Sequence, residues 1–291
     1  MSVDFTVDRV SRNVHTVRFP LHHINDDQWF LLSSDRHHDN AHTDHAMEKR
    51  HLELAVERGA GIIDVGDMHC AMQGKWDKRA DRSALRPEYR DSEYLDSLVN
   101  HASEFYAPYA ENFVVIGRGN HETAITKRHE TDLTERTCER MAMLSGHKVH
   151  SGGYGGWVRL VADLGSNKHR KLLIKYFHGS GGGGPVTRGV IQTNRMAVFL
   201  PDADLVVTGH THDHWIVPVA RERINRAGRV YMDEQTHVRC GTYKEEYGDG
   251  YDGWHVERGG PPKPVGAVWL RVQVNFDGKD RVLAYDILRA Q

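Results

Sequence analysis

The chain has 291 residues, 39% of them hydrophobic and 27% charged, with a formal charge of -2, which describes an ordinary globular protein able to bury a sizeable core. A near-neutral balance gives no global basic footprint of the kind that long nucleic-acid contacts favour. Three cysteines with no Cys-x-x-Cys spacing support neither a disulfide framework nor a thiolate zinc site, so a reducing compartment is expected.

Along the chain, short apolar runs alternate with helical patterns. The N-terminal stretch has Asp4 and Asp8 where a signal peptide would need apolar residues, and nowhere do about 18 apolar residues run together, so a cytoplasmic protein with no membrane partner is expected. WFLLSS precedes Asp35, GIIDVG leads to Asp67, NFVVIGRG precedes Asn120, KLLIKYF precedes His178 and DLVVTG precedes His210. Such runs are β-branched or aromatic and end at Gly or a polar residue, as buried strands do. Between them the spacing predicts one helix from near Asp44 to Gly59 and a second carrying Leu95, Leu98, Val99, Ala102, Phe105 and Tyr106 on one stripe. A third is predicted from about Asp132 to Gly146. Strand and helix alternating in this way imply parallel pairing in the first half, with the motifs gathered at one sheet edge. WIVPVA, AVWLRVQV and RVLAYDIL follow, the last two joined by a turn at Asp277-Gly278 and read as a hairpin closing a second sheet. No linker divides the chain, so residues 1–291 read as one domain with loop insertions at about 70–91 and 241–266, each a candidate lid.

Five motifs follow the runs: Asp35-Arg36-His37, Gly66-Asp67, Gly119-Asn120-His121-Glu122, His178-Gly179 and Gly209-His210-Thr211-His212. The side chains Asp35, His37, Asp67, Asn120, His178, His210 and His212 offer oxygen and imidazole nitrogen only, which suits Mn, Fe, Zn, Ni or Mg. Residues i and i+2 of a strand point the same way, so Asp35 with His37, and His210 with His212, can each serve one site. Seven ligands are too many for one ion with open positions. Two divalent ions bridged by a carboxylate fit better, and Asp67 is the natural bridge; such a pair activates a hydroxide and clamps the oxygens of an in-line displacement. Four positive charges against the two of Asp35 and Asp67 leave a field that favours an anionic phosphate ester.

In type, order and spacing, residues 28 to 214 resemble the calcineurin-like metallophosphoesterase superfamily, and the general look is similar to its phage-encoded and prophage-encoded members. The resemblance implies an α/β fold of two mixed sheets packed as a sandwich flanked by helices. It implies that Asp35, His37, Asp67 and His212 hold one metal and that Asp67, Asn120, His178 and His210 hold the other, manganese being the first expectation. His121 looks like the non-ligand histidine that orients the phosphate and protonates the leaving oxygen, and Glu122 would help fix its loop. A phosphodiesterase working by a metal-bridging hydroxide is the expected activity. The alternatives are a DNA nuclease or exonuclease of the same superfamily, a phosphomonoesterase, and, last, a metal-binding protein without turnover. Met68-His69-Cys70 stands where the protein phosphatases of the superfamily carry Asp-Arg-Gly, which disfavours that subgroup. A further Asp common in the exonuclease and diesterase branches is missing too.

Other features carry two readings each. Arg36 and Arg118 neighbour ligands and are candidate substrate contacts, yet either can point to the opposite face of its strand. Lys75, Lys78, Arg79, Arg82, Arg86 and Arg90, interleaved with Asp77, Asp81 and Asp91, read as a solvated loop of alternating sign ahead of a nucleic-acid grip. Gly181 to Gly184 is equally a hinge or a phosphate cradle. Tyr243, Tyr247, Tyr251 and Trp254 can stack a base, but packing beneath a long loop is the favoured use. His38, His69 and His169 read as ordinary polar residues. Oligomeric state is not legible.

Overall fold

A computed structural model describes residues 3–73, 77, 80–90, 92–182, 187, 189–251, 254–257, 259–278 and 280–290. Lys75, Lys78, Arg79, Asp91, Gly183, Gly184 and the side chain of Trp254 lie outside the described residues. The strands are β1 (Thr6–Ser11), β2 (Val14–Pro20), β3 (Asp27–Ser33), β4 (Gly61–Asp64), β5 (Phe113–Ile116), β6 (Gly155–Asp163), β7 (His169–Phe177), β8 (Leu205–Thr208), β9 (Trp215–Ile224), β10 (Val230–Arg239), β11 (Ala267–Asp277) and β12 (Asp280–Ala290). The helices are α1 (His45–Glu57), α2 (Tyr94–Tyr106), α3 (Asn120–His129), α4 (Leu133–Ser145), α5 (Val190–Phe199) and α6 (Trp254–Glu257).

The strands form two mixed sheets, one of order β1-β2-β6-β7-β8-β10-β9 and one of order β12-β11-β3-β4-β5. Their facing sides make the main core. Phe30, Leu32, Ile63, Val65 and Val114 of the smaller sheet pack on Val17, Phe19, Leu160, Ile174, Tyr176, Leu205 and Val207 of the larger. Alternate residues such as Leu31 and Ile62 turn to the other side, where Leu52, Ala55, Ala102, Tyr106 and Met141 of the helices cover them. On the far side of the larger sheet, Met196 of α5 and Leu200, its C-cap, cover Val206. The result is helix, sheet, sheet, helix. The buried stretches of β3, β4, β5 and β8 are therefore largely apolar, since both of their faces are covered.

Helix ends follow the sequence. Asp44 caps α1 by accepting from the Met47 amide at 2.9 Å, and Asp132 caps α4 through the Glu135 amide at 3.2 Å. Gly146 then ends α4 in the left-handed conformation, φ 76°. Two expectations need correction. The motifs do not share one sheet edge: β3, β4 and β5 lie in the smaller sheet, while β7 and β8 lie in the larger. The β11–β12 hairpin does not close a second sheet either, because β11 pairs antiparallel with β3, Val268 opposite Leu32. Pairing between distant strands decides both points, and hydrophobic periodicity does not carry that information. Among the described residues, no helix is long and apolar enough to cross a membrane.

His15 on β2 is fully buried, and neither ring nitrogen has a hydrogen-bond partner. Burial first, then the neighbouring His150 and Arg9, lowers its pKa from 6.5 to about 4. The folded value lies below the unfolded one, so the unfolded chain binds the extra proton between them. Stability is thus full above about pH 6.5 and is lost as pH falls towards 4, by up to about 3 kcal/mol. His15→Leu is expected to unfold at a higher temperature at pH 7 and to flatten this acid slope. Equal slopes in calorimetric scans from pH 7 to pH 4.5 would contradict that account.

Candidate metal centre

All five motifs leave their strands at the carboxyl edge of the sandwich and turn sharply. Asp35, His37, Asp67, His210 and His212 take positive φ angles of 53°, 47°, 56°, 75° and 56°, a conformation that side chains with a Cβ adopt at a cost of about 1–3 kcal/mol each. Surrounding bonds hold them there. The Asp35 amide donates to the Gly66 carbonyl at 2.9 Å and the His37 amide to that of Asp67 at 3.0 Å, tying the first motif to the second. Ser34 Oγ, at 2.6 Å, and the His210 amide, at 2.8 Å, donate to Asp35 Oδ2, tying the first to the fifth. Gly209 and Gly119 are required by close approach: a Cβ at Gly209 would strike Ser34 Oγ, and one at Gly119 would strike the Asp67 carboxylate.

The candidate ligands fall into two groups. Asp35, His37 and His212 present ligand atoms within 4.8 Å of one another, and so do Asp67, His178 and His210. Asn120 Oδ1 joins the second group, 2.6 Å from His210 Nδ1 and 3.1 Å from His178 Nε2. Seven side chains spread over residues 35 to 212 are thereby brought together. In the first group His37 Nε2 and His212 Nε2 are 3.2 Å apart, and Asp35 Oδ1 stands 3.3 Å from His212 Nε2. That oxygen is buried and has no hydrogen-bond partner. Burial, followed by His121 and His212, pushes the His37 pKa well down, so its ring is neutral. A lone carboxylate oxygen and two imidazole nitrogens aimed at one point make a poor hydrogen-bonding arrangement and a good nest for a cation.

In the second group, His178 Nδ1 donates to the Val65 carbonyl at 3.1 Å, which turns Nε2 towards Asp67 Oδ2, also at 3.1 Å. Burial alone would lower the His178 pKa, but the Asp67 and Asp35 carboxylates raise it to about 9. Burial would raise the Asp67 carboxyl, yet His121 and His178 hold it well below the usual carboxylate range.

His121, in the first turn of α3, lies beside this group. Its Nδ1 donates to the Cys70 carbonyl, which leaves Nε2 facing Asp67 Oδ2 at 3.6 Å. Glu122 is buried beneath the loop and ties three segments together, accepting from the amides of Gly119 at 2.8 Å, His69 at 2.9 Å and Asp67 at 3.2 Å. Burial and then Asp67 push its pKa up to about 8.

Arg36 is not available to a substrate. It is fully buried, donating from Nε to Asp64 Oδ2 at 2.6 Å, from Nη1 to Glu48 Oε1 at 2.8 Å and from Nη2 to Ser33 Oγ at 2.8 Å. Arg118 is paired with Asp132, the cap of α4. Tyr243 cannot stack a base, since it is buried and its hydroxyl meets His51 Nδ1 at 2.9 Å. At the start of the 241–266 stretch, Thr242 Oγ1 donates to the Asp35 carbonyl at 2.8 Å, so this part of it packs beneath the site.

Sequence reasoning missed several neighbours. Glu246 and His255 come within 4.8 Å of His212, and Cys70 stands equally close to His37 and His121. The Glu246 carboxylate is already paired with Lys244 at 2.5 Å. Arg239, at the end of β10, is fully buried beside Thr211. Its one signal in the sequence is a charge closing the strand QTHVR.

No protein-family model and no curated protein matches the sequence. Among solved structures, the chain is similar to Vacuolar Protein Sorting 29 from Cryptosporidium parvum, with 14% identity over 90% of this chain and 98% of that one, at a TM-score of 0.36. It is similar to a conserved uncharacterised protein, a predicted phosphoesterase, from Streptococcus pneumoniae, with 14% identity over 91% of each chain and a TM-score of 0.32. A third is GAP50, the anchor in the inner membrane complex of Plasmodium, with 10% identity over 91% of this chain and 85% of that one, at a TM-score of 0.47. At such levels no residue role passes from them to this chain.

Proposed function

We propose that this protein is a phosphoesterase dependent on two divalent metal ions, acting first of all on phosphodiesters. The observation that supports it most is the pair of adjacent ligand groups, Asp35/His37/His212 and Asp67/His178/His210, with Asn120 beside the second. Asp67 would be the residue shared by both ions, as the resemblance of the motifs implies. Bound there, two divalent ions, manganese foremost among Mn, Fe, Zn, Ni and Mg, supply Lewis acidity and lower the pKa of water.

The chain's own groups do the rest. His121, anchored through Nδ1 to the Cys70 carbonyl, presents Nε2 at the edge of the site, where it holds the proton that the leaving oxygen needs. Glu122 fixes the backbone that carries both Asn120 and His121. Ser34 and the His210 amide hold Asp35 so that only Oδ1 faces inwards.

Metal-free protein is expected not to cleave bis-(p-nitrophenyl) phosphate, and Mn2+ to restore cleavage with about two ions bound per chain. The reading fails if none of the five metals restores turnover on that diester, on a monoester, or on single- or double-stranded DNA. The same panel separates phosphodiesterase from phosphomonoesterase and nuclease.

A further inference from the structure

Arg239 is a buried cation that no carboxylate hydrogen-bonds. Its Nη1 donates to Thr211 Oγ1 at 2.6 Å, its guanidinium lies 5.0 Å from the ring centre of Trp215, and its Nε and Nη2 have no hydrogen-bond partner. The nearby Asp213 carboxylate gives Oδ1 to Lys263 at 2.9 Å; its Oδ2 is buried without a hydrogen-bond partner and makes no hydrogen bond to Arg239, so it acts on the guanidinium only as a neighbouring charge. An Arg held in an interior with unused donors is unfavourable unless an anion completes it.

The start of α5 supplies the second observation. Gly189 caps this ten-residue helix at φ 81°, and a Cβ there would stand 3.3 Å from Nη1 and 3.5 Å from Nη2 of Arg239. A helix N-terminus and a guanidinium are both electropositive, and two such groups pressed together favour an anion between them. The place is next to the metal centre, because β10 runs parallel to β8 with Arg239 opposite Thr208, two residues before His210. Thr211, which Arg239 touches, lies between two of the candidate ligands.

We propose that Arg239 and the N-terminus of α5 form a second anion subsite, which takes a phosphate group of the substrate other than the one hydrolysed. The preferred substrates then carry at least two phosphates, supplied either by a terminal phosphate on a nucleotide or by the next linkage of a nucleic-acid strand. The substrate class rests on the phosphoesterase reading, whereas anion binding at Arg239 does not.

Two experiments test it with the full chain. In metal-free protein, inorganic phosphate is expected to raise the thermal midpoint of the wild type and to raise that of Arg239→Met much less. An equal rise in both, or a rise in neither, overturns the subsite. Without phosphate, Arg239→Met is expected to melt no lower than the wild type, since it removes an unmatched buried charge. If it melts lower, Arg239→Lys decides: a reduced phosphate response supports the subsite, and an undiminished one overturns it.

In metal-loaded protein, Arg239→Met is expected to raise KM about tenfold for a dinucleotide with a terminal phosphate and to leave the same dinucleotide without it almost unchanged. A matching loss on a trinucleotide, also lacking the terminal phosphate, identifies the next linkage as the occupant. Equal losses on all three substrates count against the subsite. No turnover by any protein condemns the phosphoesterase reading and leaves the metal-free result to decide this one.

Discussion

Replacing His121 with alanine is expected to lower turnover by about 10²-fold to 10⁴-fold while both metal ions stay bound. The split follows from the geometry. His121 lies outside both ligand groups formed around Asp35 and Asp67, and its Nδ1 is spent on the Cys70 carbonyl, which leaves a single nitrogen turned towards the site. Its backbone amide, which donates to Asp67 Oδ1 at 3.0 Å, survives the substitution, so the carboxylate keeps that bond. The loss should fall on kcat and should shrink for esters whose leaving group departs as a stable anion, because such a group needs no proton. Metal content by atomic absorption, measured beside kcat on a nitrophenyl and an alkyl ester, gives the answer. A variant that loses its metals, or loses equally on both esters, would show His121 to be a ligand or a packing residue.

The sequence made the candidate site legible because its residues sit at the ends of strands covered on both faces. WFLLSS, GIIDVG and DLVVTG are largely apolar for that reason, and the chain has to turn where they stop. Asp44 and Asp132 likewise marked their helices through cap chemistry that needs only local residues. Asp35 and His37 share one group as left-handed turn residues, not as strand residues with side chains two apart. What stayed hidden was non-local. That β11 would pair with β3, and that β7 and β8 would face β4 across a sandwich, depends on partners far away in the chain. Arg239 and Glu48 were missed for the same reason, since a lone charge in a strand or helix shows its meaning only when the groups around it are known.

Glu48 belongs to the network behind the second large effect, the loss of Arg36. Arg36→Met is expected to destabilise the fold by about 3–5 kcal/mol, because it leaves the Asp64 and Glu48 carboxylates buried without their cation. Both side chains are fully buried. Burial already raises the Asp64 carboxyl even with Arg36 present, whereas Glu48, which burial would raise, is held well down by His38 and His45 with Arg36. Without the guanidinium both folded-state values move up. A carboxyl whose folded value exceeds its unfolded one loses stability as pH rises, so the deficit should be smaller at pH 5 than at pH 8. Adding Asp64→Asn and Glu48→Gln should recover much of it by removing the stranded charges. Urea unfolding at both pH values tests each point, and a deficit under about 1 kcal/mol, or one that grows towards acid, contradicts the mechanism. The consequence reaches the metal centre. Arg36 stands between Asp35 and His37, and Asp64 closes the strand that leads to Asp67, so one buried ion network fixes the strained turns of two motifs. Weaker metal binding by the folded variant should therefore accompany its lower stability, although Arg36 touches neither ligand group.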